Sequence, residues 1–152
     1  MTVQTLSPEA LLDAFASPAP PLLLDVRTVG EFARGRPAGP AANIPWLFVH
    51  PPTSTTPGAT VPNTSFLEVI CGLYATDQAF VIACEDGTSR SRPAVDALRG
   101  AGYTQLAVLD GGYAAWRERK LRSSTDNRPG VSYVSLLMRV KRGAETTAAA
   151  GH

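Results

Sequence analysis

The stretch FVIACEDGTSRSRPAVDALRGAGY, residues 80–103, contains an apolar run, a short polar loop and a helix-like segment in direct succession. The run Phe80–Ala83 is typical of a strand that is covered on both faces. Residues 89–101 have the apolar spacing of a helix, and Cys84 stands between the two. A strand that leads through a tight loop into a helix is the unit from which parallel α/β sheets are built.

Strand-like and helix-like segments alternate along the rest of the chain. Leu22–Leu24 and Leu106–Leu109 are further short apolar runs of the strand type. This alternation predicts the α/β class, with a central parallel sheet and helices on both faces. In such sheets ligands bind beyond the carboxyl ends of the strands, where Cys84 lies. The predicted helices cover residues 8–16, 28–34, 63–74, 89–101 and 113–120.

Two segments are predicted to have no regular structure. Residues 35–48, rich in glycine and proline, read as a connection, and residues 50–62 as an exposed, mobile loop. We predict one domain over residues 5–121 and a C-terminal extension over 122–152, partly disordered or docked. Within the extension, residues 131–142 form an amphipathic helix that we expect to dock on the domain; a membrane surface or a protein partner is the alternative.

Composition limits the possible functions. The chain has 152 residues, 44% of them hydrophobic, which is enough for one sizeable core. Its net charge of +1, without a long basic block, gives no reason to expect nucleic acid as a partner. With only Cys71, Cys84 and two histidines, the sequence predicts neither a disulfide scaffold nor a metal site. This cysteine count is typical of a reducing compartment.

The loop after Cys84 has the features of an anion cradle. A chain that turns from a strand into a helix directs several backbone N–H groups at one point, and the helix dipole adds partial positive charge. The same field favours a thiolate over a thiol and so activates the sulfur as a nucleophile. Gly87 supplies the residue without a side chain that such a tight loop needs. Two interpretations stay open at this point, because a lone cysteine is also commonly a small buried hydrophobe.

Four segments resemble the single-domain rhodanese family, in the family's order and at its usual spacings. They are LLLDVRTVGEF (22–32), GPAANIP (39–45), FVIACEDGTSRS (80–91) and AGYTQLAVLDGGYAAW (101–116). The resemblance covers about residues 5–120 and implies the rhodanese-like α/β fold, with Cys84 at the catalytic position. It implies a sulfurtransferase in which the cysteine takes a sulfane sulfur from thiosulfate or a persulfide donor. The sulfur is held as a cysteine persulfide and passed to a thiophilic acceptor, with no metal or organic cofactor.

The resemblance also implies roles for particular residues. Cys84 is the nucleophile, and the loop behind it binds the anionic groups. Within that loop, backbone N–H groups stabilise the thiolate and the persulfide, while Arg90 and the hydroxyls of Thr88 and Ser89 orient the leaving sulfite. Asp25 and Arg27 match the family's DVR element and support the site. The residues matching the C-terminal signature are read as mostly structural: Asp110, Gly111, Gly112 and Trp116. The predicted anion-binding residues are Glu85, Asp86, Gly87, Thr88, Ser89 and Arg90.

The chain departs from the family pattern in two places. Arg36 stands where the family usually has a histidine, which we read as a structural change. Five residues separate Cys84 from Arg90, one more than in many single-domain sulfurtransferases. Such a C-x5-R loop resembles those of cell-division-cycle-type phosphatases and rhodanese-like arsenate reductases, in which the arginine fork binds a tetrahedral oxyanion. Glu85 and Asp86 oppose that alternative, because two negative charges repel a phosphate dianion unless they point away.

A third hypothesis is a non-catalytic binding or regulatory module of the same fold. It would act through residues 50–62 or through the C-terminal segment. We expect a monomer whose partners are a small-molecule or protein sulfur donor and acceptor. The sequence shows no leader-like N-terminus and no apolar run of membrane-spanning length. The expected location is therefore soluble, in the cytoplasm, or in the chloroplast stroma if a transit peptide has been removed, since the loop resembles those of chloroplast members.

Overall fold

The computed structural model describes residues 3–126 and 130–150, and for residues 144–150 it describes the backbone only. The strands are β1 (Gln4–Leu6), β2 (Leu22–Asp25), β3 (Arg36–Pro37), β4 (Ala41–Asn43), β5 (Leu47–His50), β6 (Ala59–Pro62), β7 (Phe80–Ala83), β8 (Leu106–Leu109) and β9 (Ser123–Ser124). The helices are α1 (Pro8–Phe15), α2 (Val29–Arg34), α3 (Phe66–Leu73), α4 (Ser91–Gly100), α5 (Gly112–Glu118) and α6 (Tyr133–Ala150).

Five strands form one parallel sheet in the order β1-β8-β7-β2-β4. The apolar run Phe80–Ala83 is the central strand, with β8 on one side and β2 on the other. Since all five strands run in the same direction, their carboxyl ends lie along one edge of the sheet. The predicted central parallel sheet is confirmed.

Successive residues of the central strands contribute to two separate apolar clusters, because side chains alternate between the faces of a strand. Leu23 and Val81 pack with buried residues of α1, α2 and α5. Leu24 and Ile82 pack with buried residues of α3, α4 and α6. The two clusters require apolar residues at consecutive positions, which explains why the strands read as continuous apolar runs. The prediction of helices on both faces is confirmed.

The two segments expected to be irregular contain short strands, so this prediction was wrong in part. Ala41–Asn43 forms the edge strand β4, which pairs with β2. Pro37 lies in the two-residue strand β3, at an edge where the missing proline N–H is tolerated. β5 and β6 form an antiparallel hairpin, and residues 50–62 are exposed throughout, as predicted. These strands have two to four residues each, too few to produce a periodic pattern.

The C-terminal extension contacts the domain at several points. β9 pairs with β3, and Leu136 of α6 is buried in the same cluster as α3. The Asn63 amide donates to the Tyr133 hydroxyl at 3.3 Å. The α6 backbone continues to Ala150, beyond the segment for which the sequence predicts a helix. Residues 127–129 and 151–152 of the predicted extension lie outside the described residues. None of the described helices combines the length and apolar character needed to cross a bilayer.

Candidate active site

Cys84 directly follows the central strand β7 at the carboxyl edge of the sheet. Its side chain is fully buried and belongs to the cluster beneath α3 and α4. The chain then passes through residues 85–90 and enters α4 at Ser91. The predicted order of strand, cysteine, loop and helix is thus the observed one, and it places the sulfur where ligands of open parallel sheets bind.

Gly87 gives the loop its shape. Its φ is +83°, in the left-handed region that favours glycine. An added Cβ would lie 2.8 Å from the Gly111 nitrogen and 3.1 Å from the Leu109 carbonyl oxygen. The loop therefore packs directly on the backbone that follows β8, with no room for a side chain at this position.

The same backbone, around Gly111 and Gly112, also supports the start of the loop. The backbone N–H of Tyr113 donates to the Cys84 carbonyl at 2.9 Å, and that of Ala114 donates to the Glu85 carbonyl at 3.1 Å. Gly112 has φ +63°, and a Cβ there would lie 2.6 Å from the Glu85 carbonyl oxygen and closer still to that of Cys84. The signature read as structural is therefore in direct contact with the backbone that carries the sulfur.

The Asp86 carboxylate turns into the predicted anion cradle. Its Oδ1 accepts hydrogen bonds from the backbone N–H groups of Thr88 at 2.9 Å and Ser89 at 3.0 Å, and from the Ser89 hydroxyl at 3.1 Å. The Cys84 Sγ donates to the same oxygen at 3.2 Å. The two backbone N–H groups hold the pKa of Asp86 well below its usual range, so the carboxylate is ionised at neutral pH. The cradle thus already holds a negative charge that belongs to the chain.

Glu85 points away from the cradle. Its carboxylate accepts from Arg117 at 2.8 Å and from Arg27 at 3.4 Å. Tyr113 lies beneath both guanidinium groups, with its ring centroid 4.6 Å from Arg27 and 5.1 Å from Arg117. The two acids of the loop therefore behave differently, since one faces the sulfur and the other belongs to a surface network.

Asp25 and Arg27 form a buried ion pair at the end of β2. Asp25 is 0% exposed and Arg27 is 2% exposed. The guanidinium donates to the carboxylate through Nε at 3.0 Å and Nη2 at 2.7 Å, and Nη2 also donates to the Gly35 carbonyl at 2.7 Å. Because Arg27 also reaches Glu85, the pair connects β2 to the loop that carries the sulfur.

Arg90 pairs with Glu31 at the start of α2. The guanidinium donates to both carboxylate oxygens, at 2.6 Å and 3.1 Å. Glu31 also accepts from the Thr28 backbone N–H, while the Thr28 hydroxyl accepts from the Glu31 N–H, which is a capping box. Burial alone would raise the pKa of Glu31, but the hydrogen bonds from Arg90 and Thr28 outweigh it and lower the pKa to about 2. The arginine of the C-x5-R loop is therefore already bound to a carboxylate.

This pairing predicts a pH-dependent stability. A depressed carboxyl pKa stabilises the fold above the unfolded value of 4.5, and the contribution is lost as the pH falls towards about 2. Glu31→Gln keeps an acceptor for the capping box but removes the charge. In urea unfolding we expect Glu31→Gln to have a lower free energy of unfolding than the parent protein at neutral pH. The difference between the two should shrink steadily as the pH falls below 4.5. A difference in the free energy of unfolding that stays constant down to pH 2 would contradict the depressed pKa of Glu31.

Several residues near the site were not predicted from the sequence. Glu31, Arg117 and Tyr113 each contact a predicted site residue, as described above. The Thr-x-x-Glu spacing of residues 28–31 is a recognisable capping signal that would have located Glu31, whereas nothing in the sequence pairs it with Arg90. A cavity of about 350 Å³ beside the loop is lined by Arg27, Glu31, Arg34, Gly35, Glu85, Tyr113 and Arg117. Within residues 3–126 and 130–143, no cluster of three or more His, Cys, Asp or Glu side chains is placed to hold a metal ion.

Comparison with curated proteins finds relatives that include a thiosulfate sulfurtransferase. The chain is 35% identical over 104 residues to thiosulfate sulfurtransferase 18 of Arabidopsis thaliana, covering 68% of this chain and 71% of that protein. It is 38% identical over 93 residues to the mitochondrial protein HIGH ARSENIC CONTENT 1 of the same plant, covering 61% of this chain. The match spans only half the length of that second relative.

Solved structures show the same fold. A rhodanese-related protein from Thermoplasma volcanium superposes with a TM-score of 0.58 at 21% identity, covering 81% of this chain and 99% of that one. The family model of the rhodanese-like domain matches residues 7–119, which include four of the five strands of the sheet, all but β1, as well as the loop of Cys84. The chain therefore belongs to the rhodanese-like domain family.

Proposed function

We propose that this protein is a sulfurtransferase that carries a sulfane sulfur as a persulfide on Cys84. The observation that carries the proposal is the place of Cys84, at the carboxyl end of the central strand and in a loop held by hydrogen bonds from the backbone N–H groups of Tyr113 and Ala114. The family and the relatives named as thiosulfate sulfurtransferases support this class of reaction. Asp25 and Arg27 are proposed as supporting residues that hold the loop in place.

The first half-reaction transfers one sulfur atom to Cys84. With thiosulfate, the Cys84 thiolate attacks the outer sulfur, the sulfur–sulfur bond breaks, and sulfite leaves with two negative charges. With a neutral persulfide R–S–SH, the same attack leaves a thiolate R–S⁻ and the protonated persulfide on Cys84. In the second half-reaction an acceptor thiolate attacks the outer sulfur of the persulfide and restores the Cys84 thiolate.

The backbone N–H groups, the hydroxyls and the arginine of the loop are proposed to assist the transfer of sulfur at Cys84. Backbone N–H groups of residues 85–87 stabilise the thiolate and the persulfide, and those of Thr88 and Ser89 do so only once they are released from Asp86. The hydroxyls of Thr88 and Ser89 and the Arg90 guanidinium orient a leaving oxyanion. Arg90 can do so only by exchanging its bonds to Glu31 for bonds to the oxyanion, and the Ser89 hydroxyl only by giving up its bond to Asp86. The geometry therefore supports the sulfur carrier more directly than the oxyanion clamp.

A phosphatase or arsenate reductase is the second candidate, favoured by the C-x5-R spacing of Cys84 and Arg90. Such an enzyme needs a free arginine fork and free N–H donors around the sulfur. In this chain Glu31 holds the fork and Asp86 holds the N–H groups of Thr88 and Ser89. Two carboxylates must therefore move before an oxyanion binds, which places this candidate behind sulfur transfer.

Intact-protein mass spectrometry after incubation with thiosulfate, or with a small-molecule persulfide, tests the proposal. We expect the parent protein and Cys71→Ser to gain one sulfur atom that cyanide removes, and Cys84→Ser to gain none. Cys71 is the matched control because it is the other free cysteine and is exposed, whereas Cys84 is buried. Equal sulfur gain in Cys84→Ser and the parent would rule out Cys84 as the carrier. No gain in any variant, from either donor, would favour arsenate or phosphate-ester chemistry, or a binding module.

The biological setting is also a proposal. We infer a monomer that exchanges sulfur with a small-molecule or protein donor and acceptor in a reducing compartment. The relatives include a mitochondrial protein and two that are named as chloroplastic, which supports an organelle as the site of action; the cytoplasm is the alternative. Size-exclusion chromatography with light scattering measures the oligomeric state directly.

A further inference from the structure

We propose that Asp86 is a specificity-determining residue that makes this site favour neutral persulfide donors, R–S–SH, over oxyanion donors such as thiosulfate. The inference rests on the proposed sulfur transfer and goes further, because it names the class of donor. It follows from the way in which carboxylates of the chain occupy the groups that would otherwise bind an oxyanion.

The first observation is the occupied cradle. One oxygen of Asp86 accepts three hydrogen bonds from Thr88 and Ser89 and lies 3.2 Å from the Cys84 sulfur. An oxyanion beside the sulfur would need the same donors. It would either displace this carboxylate or bind next to it. Like charges at such distances repel each other even though Asp86 is exposed to solvent and water screens part of the interaction.

The second observation concerns the cation of the loop. Both terminal nitrogens of Arg90 bind Glu31, whose other hydrogen bonds belong to the cap of α2. Releasing Arg90 for a substrate would therefore leave a partly buried carboxylate without its counter-ion. Asp86 thus occupies the N–H groups of Thr88 and Ser89, and Glu31 occupies the Arg90 guanidinium, so these groups are not free to bind an oxyanion.

The two donor classes differ in the charge that they bring into this cradle. Thiosulfate enters as a dianion, and its leaving group, sulfite, is also a dianion held close to Asp86 during bond cleavage. A neutral persulfide enters without charge, and its leaving thiolate carries a single negative charge that water can protonate. The carboxylate therefore penalises the first reaction in both its ground state and its transition state, and the second mainly in the transition state.

Alkylation of the two cysteines tests charge selection without requiring sulfur transfer. Iodoacetamide is neutral and iodoacetate is an anion. The alkylation rate of Cys84 with iodoacetamide, divided by its rate with iodoacetate, therefore reports how strongly the site rejects negative charge. Exposed Cys71 on the same chain gives the reference ratio. We expect Asp86→Asn, which keeps the acceptor oxygen and removes the charge, to lower the Cys84 ratio by about tenfold and to leave the Cys71 ratio unchanged.

The matched control is Asp13→Asn, which removes the same charge from an exposed position on α1. It should leave both ratios unchanged, since exposed charges are screened and α1 packs in a different apolar cluster from Cys84. A Cys84 ratio that is equal in the parent protein and in Asp86→Asn would overturn the inference. So would an equal shift in Asp13→Asn, because the effect would then come from net charge.

Donor kinetics complete the test and separate the two proposals. We expect the ratio of kcat/KM for thiosulfate to kcat/KM for a small-molecule persulfide to rise about tenfold or more in Asp86→Asn. An unchanged donor ratio, with sulfur loading intact, would overturn the inference and leave the proposed function standing. A shifted alkylation ratio without sulfur loading from either donor would support charge selection by Asp86 and overturn the proposed sulfurtransferase function.

Discussion

Asp25→Ala is expected to lower the free energy of unfolding by about 3–5 kcal/mol, because it leaves the buried Arg27 guanidinium without its carboxylate. Asp25 accepts from Arg27 through both side-chain and backbone N–H groups, so several hydrogen bonds are lost together. The remaining contacts of Arg27, to Gly35 and Glu85, are a carbonyl and a carboxylate that is 35% exposed and cannot replace a buried counter-ion. Urea denaturation followed by circular dichroism measures the change.

The pair Glu9–Arg119 provides the matched control. Its nitrogen and oxygen lie 2.9 Å apart, but both side chains are about half exposed. Glu9→Ala should therefore cost less than about 1 kcal/mol, since water screens the interaction. The argument for burial would be refuted if the two substitutions had similar effects. The double substitution Asp25→Leu with Arg27→Met should cost less than Asp25→Ala alone, because it leaves no unpaired charge in the core.

Gly112→Ala is expected to reduce sulfur transfer by about a hundredfold, because a shift of about 1 Å in a reacting group has effects of this size. The added methyl group would overlap the carbonyl oxygens of Cys84 and Glu85, which are backbone atoms and cannot rotate away. Its positive φ adds about 1–2 kcal/mol of strain for any residue with a Cβ. The loop must therefore move, and Cys84 moves with it.

Gly100→Ala is the control for this prediction. Gly100 is the last residue of α4, and an added Cβ would meet nothing within 4 Å. Alanine favours a helix more than glycine does, so this variant should keep full activity and gain a few tenths of a kcal/mol of stability. Retention of normal sulfur transfer by Gly112→Ala would show that the Gly111-Gly112 backbone does not control the position of Cys84. Activity and the unfolding midpoint should be measured on the same preparations.

The strands that carry the site were predictable because their surroundings dictate their residues. β7 and β8 lie inside the sheet with a helix layer on each face, so every position is apolar, and the observed bounds equal the predicted ones. β1 and β4 lie at the two edges of the sheet and have only three residues each. Ala41–Asn43 has little β propensity of its own, and its pairing with β2 creates the strand.

The chemistry of the loop was only partly predictable. The position of Cys84 follows from the strand, but the outward orientation of Glu85 depends on contacts from distant parts of the chain. Glu85 points outward because Arg27 and Arg117 are there to receive it. For Asp86 a local signal existed, since an aspartate that precedes Gly-Thr-Ser commonly accepts from the backbone two and three residues on. The roles of the predicted anion-binding residues stay predictions until the donors are compared.

The order of the sheet has a consequence for synthesis on the ribosome. β1 is an edge strand whose neighbour is β8, so Gln4 pairs with Ala107, near the far end of the family match. At about 5–20 residues per second, the first strand waits on the order of 5–20 s for its partner to be made. During that time α1 can form, but its buried Leu11 lacks the cover supplied by α5. The nascent chain is therefore expected to finish folding late and to depend on chaperones that shield this apolar surface until β8 leaves the exit tunnel.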